Sequence, residues 1–110
     1  LAVRRFGELE MRVVDAPHPY NLTFLHESLP SHGATPYIIH SHTIELVYVT
    51  KGKMIGRIDG RKMDLCEGDY LFIPSGVEHR FETAGSSVEA ISIFSPPMDF
   101  DKPDARIIFK

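Results

Sequence analysis

The residues whose types and spacing could do chemistry lie in two short segments. The first is His40-Ser41-His42-Thr43-Ile44-Glu45. In an extended chain His40 and His42 point to one face, and two imidazoles at that spacing can converge on one ion, each nitrogen about 2.1 Å from it. Glu45 adds a nearby carboxylate. On a polar strand face the same pair is simply solvated. The second segment runs from Gly68-Asp69 through Tyr70-Leu71-Phe72-Ile73 to Pro74-Ser75-Gly76-Val77-Glu78-His79. Gly68-Asp69 reads as a turn entering a strand, which Pro74 ends because it cannot donate to the ladder. Pro74-Ser75-Gly76 is a tight turn with glycine where positive φ is easiest. His79 then shares a face with Phe81, while Glu78, Arg80 and Glu82 point the other way. Such a histidine is either a ligand or a hydrogen-bonded core residue.

The elements that must position these groups are short and alternate with period two. Leu9, Met11 and Val13 alternate with Glu10 and Arg12, and Leu22, Phe24 and His26 with Thr23 and Leu25. Glu45 to Thr50 is β-branched and aromatic, and Met54 to Asp59 resumes after Lys51-Gly52. Asp59-Gly60 is a strong hairpin signal, because both central residues of a type I′ turn need positive φ. Arg61 to Leu65, Tyr70 to Ile73, Val77 to Phe81, Val88 to Phe94 and Arg106 to Phe109 complete the set. No long window carries a 3.6-residue apolar stripe free of Gly or Pro. The pattern predicts an all-β sandwich or barrel of about nine or ten strands.

Taken together, the two segments resemble the paired motifs of the cupin superfamily. Glu45 to Gly52 keeps the first motif's spacing, and Gly68, Pro74, Gly76 and His79 keep the second's. The resemblance covers Gly33 to Thr83. It implies a double-stranded β-helix, the jelly-roll barrel, as one cupin domain over residues 1–110. It also implies one divalent transition metal (Mn, Fe, Co, Ni, Cu or Zn) held by His40, His42, Glu45 and His79. A small-molecule ligand would then meet the metal at a mouth lined by Phe72, Phe81 and Phe94, with Tyr37 or Tyr48 nearby. Cupins include dioxygenases, isomerases and decarboxylases, so the resemblance implies a site and not a reaction. Similar barrels also form sugar-sensing arms of bacterial transcription regulators, and others are storage proteins.

Three departures from the motifs matter. Thr83 stands where the family has Asn, Gly33 lies one residue further from His40 than usual, and only Thr43 and Ile44 separate His42 from Glu45. In a regular strand that last spacing puts Glu45 on the face opposite the histidine pair. Either a bulge or kink around Thr43-Ile44 gathers all four ligands, with Glu45, Val47 and Val49 inward, or Glu45 points away from a three-histidine site.

Composition bounds the function classes. The chain has 110 residues, 43% apolar and 25% charged, with 12 Lys+Arg against 15 Asp+Glu and a net charge of −3. That balance lacks the basic footprint of a nucleic-acid binder and gives no attraction to an anionic membrane. No apolar run approaches the roughly 18 residues of a membrane span. Leu1-Ala2-Val3-Arg4-Arg5 is followed by no apolar core, so it does not read as a secretory signal. The lone Cys66 fits a reducing cytoplasm and reads as a small buried apolar residue. The terminal segments Ala2 to Phe6 and Arg106 to Phe109 are apolar enough to pair across a two-fold axis, so a homodimer is expected.

Overall fold

The computed structural model describes residues 2–16 and 21–110. These residues form ten strands and no helix: β1 (Ala2–Phe6), β2 (Leu9–Ala16), β3 (Leu22–Leu29), β4 (Tyr37–His40), β5 (Ile44–Ile58), β6 (Arg61–Cys66), β7 (Tyr70–Ile73), β8 (His79–Glu82), β9 (Val88–Ser95) and β10 (Ala105–Ile108). All pairings are antiparallel. One sheet runs β1-β2-β3-β9-β5-β7 and the other β6-β5-β8-β4-β10, so β5 belongs to both. The fold is all-β, as the alternation implied, and its curled antiparallel sheet takes the barrel form that the resemblance implied. No described helix is long and apolar enough to cross a membrane.

The break expected at Lys51-Gly52 is absent: β5 is continuous and turns a corner there. Its register against β9 slips between Val49 and Lys51, and an extra residue of this kind bends and twists a strand. Gly52 adopts φ +82°, and a Cβ on it would stand 2.3 Å from the Ser87 carbonyl oxygen. Side-chain-bearing residues avoid that conformation, and backbone cannot yield as a flexible side chain does. Replacing Gly52 with Ala should therefore cost at least about 2 kcal/mol, read from urea unfolding midpoints at unchanged m-value.

Alternation along β5 sends Glu45, Val47 and Val49 inward, at 4%, 2% and 1% exposure. That is the parity of the first alternative, in which the chain kinks before Glu45. Val47 and Val49 join Leu29, Met54, Ile58, Leu65, Ile73, Val88 and Ala90 in one core cluster, and Met11, Val13, Leu25 and Phe94 form a second. The Asp59-Gly60 turn takes positive φ at both residues and joins β5 to β6, as expected. Cys66 does not: Leu65 takes the inward position of β6, and Cys66 is exposed and free.

Thr83, at the position where the resembled motif has Asn, has a structural task. Its hydroxyl accepts the Gly33 amide at 2.9 Å and donates to the Pro30 carbonyl. The Thr83 amide in turn bonds the Gly33 carbonyl at 2.9 Å. The two ends of the motif region are thereby tied together in a buried place. Thr83→Val keeps the shape and strands both partners, so it should cost about 1–3 kcal/mol in the same unfolding measurement.

Candidate metal site

The turn between β7 and β8 brings the two motifs into contact. Pro74 ends β7, Gly76 takes φ +81°, and the Gly76 amide donates to the His40 carbonyl at 2.7 Å. His40 closes β4, Glu45 opens the inward row of β5, and His79 opens β8 paired with Ile38 and Ile58. All three side chains are buried, and their ligating atoms lie within 4.8 Å of one another. Glu45 Oε1 stands 3.9 Å from His40 Nε2 and 3.4 Å from His79 Nε2. The imidazole rings stack with centroids 5.7 Å apart.

Each ring is held by its other nitrogen. His79 Nδ1 lies 3.0 Å from the Val77 carbonyl oxygen, which can only accept, so Nδ1 carries the proton. His40 Nδ1 lies 3.0 Å from Asp104 Oδ1, a carboxylate that fixes the same tautomer. In the neutral rings both Nε2 atoms therefore offer bare lone pairs towards a carboxylate. Buried His79 Nε2 has no hydrogen-bond partner. Three electron-rich atoms facing one another without a donor between them suit a cation, and ligand imidazoles held through the second nitrogen are the usual support. The residues present fit a divalent ion. Burial works to lower the His79 pKa, but the Glu45 carboxylate and the Val77 carbonyl outweigh it, and the balance is raised.

His42 is not part of this group. It is exposed, while its neighbours Thr43 and Glu45 are buried. The cause is Asp104, in the turn before β10. Its Oδ2 accepts the amides of both His42 and Thr43, at 2.8 and 2.9 Å. Two consecutive amides drawn to one oxygen cannot belong to a regular strand, so the chain kinks between β4 and β5 and the His42 side chain swings out. The expected kink exists, but it aligns Glu45 with His40 by expelling His42. Of the four expected ligands the structure brings together His40, Glu45 and His79 and places His42 outside the group. Burial opposes ionisation of Asp104, yet the bonds from His40, His42 and Thr43 hold its pKa well below the carboxylate range. Asp104→Ala should weaken divalent-metal binding by about 10–100-fold, measurable by calorimetric titration.

These groups open onto a cavity of about 220 Å³. Its walls are mainly apolar, with Phe81 and Phe94 among them, each against a site histidine at 5.9 and 5.5 Å between centroids. The other expected pocket aromatics lie elsewhere. Tyr48 and Phe72 are exposed on the outer face, and Tyr37 carries Arg80 and Lys110 over its ring at 5.2 and 4.6 Å.

Two cavity groups escaped the sequence reading. Glu27 lines the cavity, and the Ser92 hydroxyl contacts both its carboxyl and, at 3.2 Å, Glu45 Oε2. Burial and the Glu45 charge push the Glu27 pKa up to about 8, against the Ser92 hydrogen bond. Arg4 pairs with Met11 in the β1–β2 ladder and lines the cavity with it, its guanidinium 4.8 Å from the Phe100 ring. Neither residue belongs to a motif, and both sit where alternation alone calls for an apolar side chain.

Comparison with known proteins follows the same lines. The family model described as "Cupin domain" matches residues 25–94. A curated, uncharacterised protein of Aquifex aeolicus (strain VF5) is 39% identical over 51 residues, a match covering 46% of this chain and 42% of that protein. The chain thus aligns with less than half of that relative's length. Among solved structures, Pac13 of Streptomyces, a nucleoside dehydratase, superposes with TM-score 0.81 at 14% identity, covering 97% of this chain and 83% of that one. KdgF of Halomonas sp. gives 0.78 at 18%, covering 93% and 92%. A predicted oxalate decarboxylase of Thermotoga maritima gives 0.73 at 23%, covering 80% of each chain. At these identities the likeness is one of fold.

Proposed function

The chain belongs to the cupin domain family, and from that membership we propose that it is a metal-dependent enzyme acting on a small molecule. One observation carries the reading. Two imidazole Nε2 atoms and a carboxylate converge, buried, on the wall of a cavity of about 220 Å³, with both Nδ1 atoms already held by other groups. A purely structural cluster has no need of an empty space beside it. Similar folds that carry enzyme names, a nucleoside dehydratase and a predicted oxalate decarboxylase, support the same reading.

His40, Glu45 and His79 would hold the ion. Two imidazoles and one carboxylate form a donor set of intermediate hardness that suits Mn, Fe, Co, Ni, Cu or Zn. An ion held there would supply Lewis acidity and open positions for oxygen-donor ligands. Asp104 and the Val77 carbonyl orient the rings. Glu27 retains its proton near neutrality and can give it to, or take it from, a group lying in the cavity. Ser92 carries hydrogen bonding from that carboxyl to Glu45. The apolar walls exclude water and fit a ligand whose polar atoms are gathered at one end, in contrast to a sugar. Dioxygenase, isomerase and decarboxylase chemistry all remain compatible with these roles.

The test is titration of the purified protein with each of these ions in turn. The reading expects one ion per chain and, in the cobalt-loaded protein, a visible spectrum that changes when a small oxygen-donor ligand such as acetate is added. Absence of any stoichiometric binding, or a spectrum indifferent to such ligands, would remove the reading.

A further inference from the structure

Arg4 occupies an inner-row position of β1. Arg4, Met11, Glu27 and Ala90 are successive register partners across β1, β2, β3 and β9, and the first three line the cavity. Strands lie about 4.8 Å apart, so the Arg4 backbone stands about 10 Å from that of Glu27, with Met11 between them. Glu27 meets the metal ligands through Ser92. Arg4 is exposed and so marks the other end, where the cavity meets solvent. The cavity thus has an axis, with Glu45 deep, Glu27 and Met11 along the wall, and a guanidinium at the mouth.

That guanidinium is held but not neutralised. It lies 4.8 Å from the centre of the Phe100 ring, a contact that fixes its place without using its N–H donors. Among the described residues, carboxylates pair with Arg5, Arg12, Arg57 and Arg80, and none pairs with Arg4. Asp99 and Asp101 share an outer recess with it, but Asp99 Oδ1 accepts the amides of Asp101 and Lys102 at 3.0 and 3.3 Å. Arg5 also reaches the cavity, yet it is bound to Glu10 at 2.8 Å. A cation in an apolar row, with no carboxylate of its own, breaks the local pattern as functional positions do.

Resting on the small-molecule reading above, we propose that Arg4 receives a carboxylate of the ligand, and that the ligands are small carboxylic acids with a ring-sized apolar body and an oxygen atom at the opposite end. A guanidinium binds a carboxylate through two parallel N–H donors. An apolar cavity of about 150 Å³ takes a benzene ring, so one of about 220 Å³ has room for a ring and its substituents. Charge sets the orientation. In the metal-free protein Glu45 repels a carboxylate from the deep end, and Glu27, with its pKa raised to about 8, adds no negative charge along the way at neutral pH. Inside the walls the ligand keeps its polar atoms deep, and its carboxylate lies beyond them at the mouth. The chain as a whole carries −3, so the preference for an anion is local to Arg4.

Titration of the whole chain, freed of metal by chelation, with 4-hydroxybenzoate and with uncharged 4-hydroxybenzamide tests this, followed by amide NMR shifts at pH 7. The wild type should bind the carboxylate about tenfold more tightly than the amide, with the largest shifts at Arg4, Met11 and Phe100. Arg4→Gln should bring the two affinities together and leave that for the amide unchanged, which shows the variant's cavity to be intact. Arg4→Lys should restore part of the preference. Equal affinities in the wild type, a preference kept by Arg4→Gln, or no binding of either probe would overturn the proposal. Because no ion takes part, the two readings fail separately. A carboxylate preference in a chain that binds no metal removes the metal reading alone, and a bound ion with equal affinities removes this one alone.

Discussion

Glu45→Gln should weaken divalent-ion binding by more than about 100-fold while raising the melting temperature of the metal-free protein at pH 8.5 by several degrees. The two effects have one cause. Removing an outer partner of a metal ligand already costs 10–100-fold, and Glu45 supplies the charge among the three donors. In the metal-free protein the same charge is a burden. Glu45 and Glu27 share the Ser92 hydroxyl, which has one proton to give, and the Glu45 charge helps push the Glu27 pKa upward. An amide can donate as well as accept and carries no charge, so it relieves that repulsion. A residue kept for stability would show the opposite: unchanged metal binding and a lower melting point. Calorimetric titration with Mn or Zn and a thermal scan after chelation decide between them.

The second large effect is a pH dependence that Glu27 imposes on the metal-free protein. Its pKa is raised from 4.5 to about 8. Between those values the native state binds a proton that the unfolded chain has released. Stability is therefore greatest below about pH 4.5, by this group's account, and is lost as pH rises through 8. At 1.36 kcal/mol per unit, the loss from pH 5 to 8 is roughly 3–4 kcal/mol, or a fall of about 10–20 °C in a domain of this size. His79 adds to the same slope, since its pKa is raised too and its contribution fades above its ordinary value. Asp104 acts at the other end: its lowered pKa gives stability that is lost only as pH falls below the usual carboxylate range. Glu27→Gln should flatten the neutral limb and make the variant the more stable protein at pH 8.5. Parallel profiles for the two proteins would show that Glu27 carries no such proton. Metal affinity runs the opposite way, strengthening as pH rises and the ligands lose their protons.

Much of this was legible in the sequence, and the misses share two causes. Asp59-Gly60, Pro74-Ser75-Gly76 and the inward pairing of His79 with Phe81 follow from local turn chemistry and strand parity, and each is present. Strand parity in β5 was ambiguous because Leu46 and Tyr48 are as apolar as Val47 and Val49. The ambiguity reflects the exposure of Leu46 and Tyr48 on the outer side: when both faces of a sheet are apolar, alternation no longer says which faces the core. The same blur drew Tyr48 and Phe72 into the expected pocket and hid Glu27, whose neighbours Phe24 and Leu25 lie on opposite faces. His42 lies outside the cluster for a different reason. Its orientation is set by Asp104, remote in sequence, capturing two backbone amides. No spacing rule within the first motif can anticipate a carboxylate delivered by another strand. Cys66 is the simplest miss, since Leu65 beside it already filled the inward position.

The most direct test of the central claim is anomalous diffraction from crystals loaded with one of these ions, recorded at that element's edge. The account predicts one ion, bound by His40 Nε2, His79 Nε2 and Glu45 at about 2.0–2.2 Å, with His42 uninvolved and the remaining ligands facing the cavity. An ion bound through His42, ions found only on surface carboxylates, or an empty site at saturating metal would contradict it.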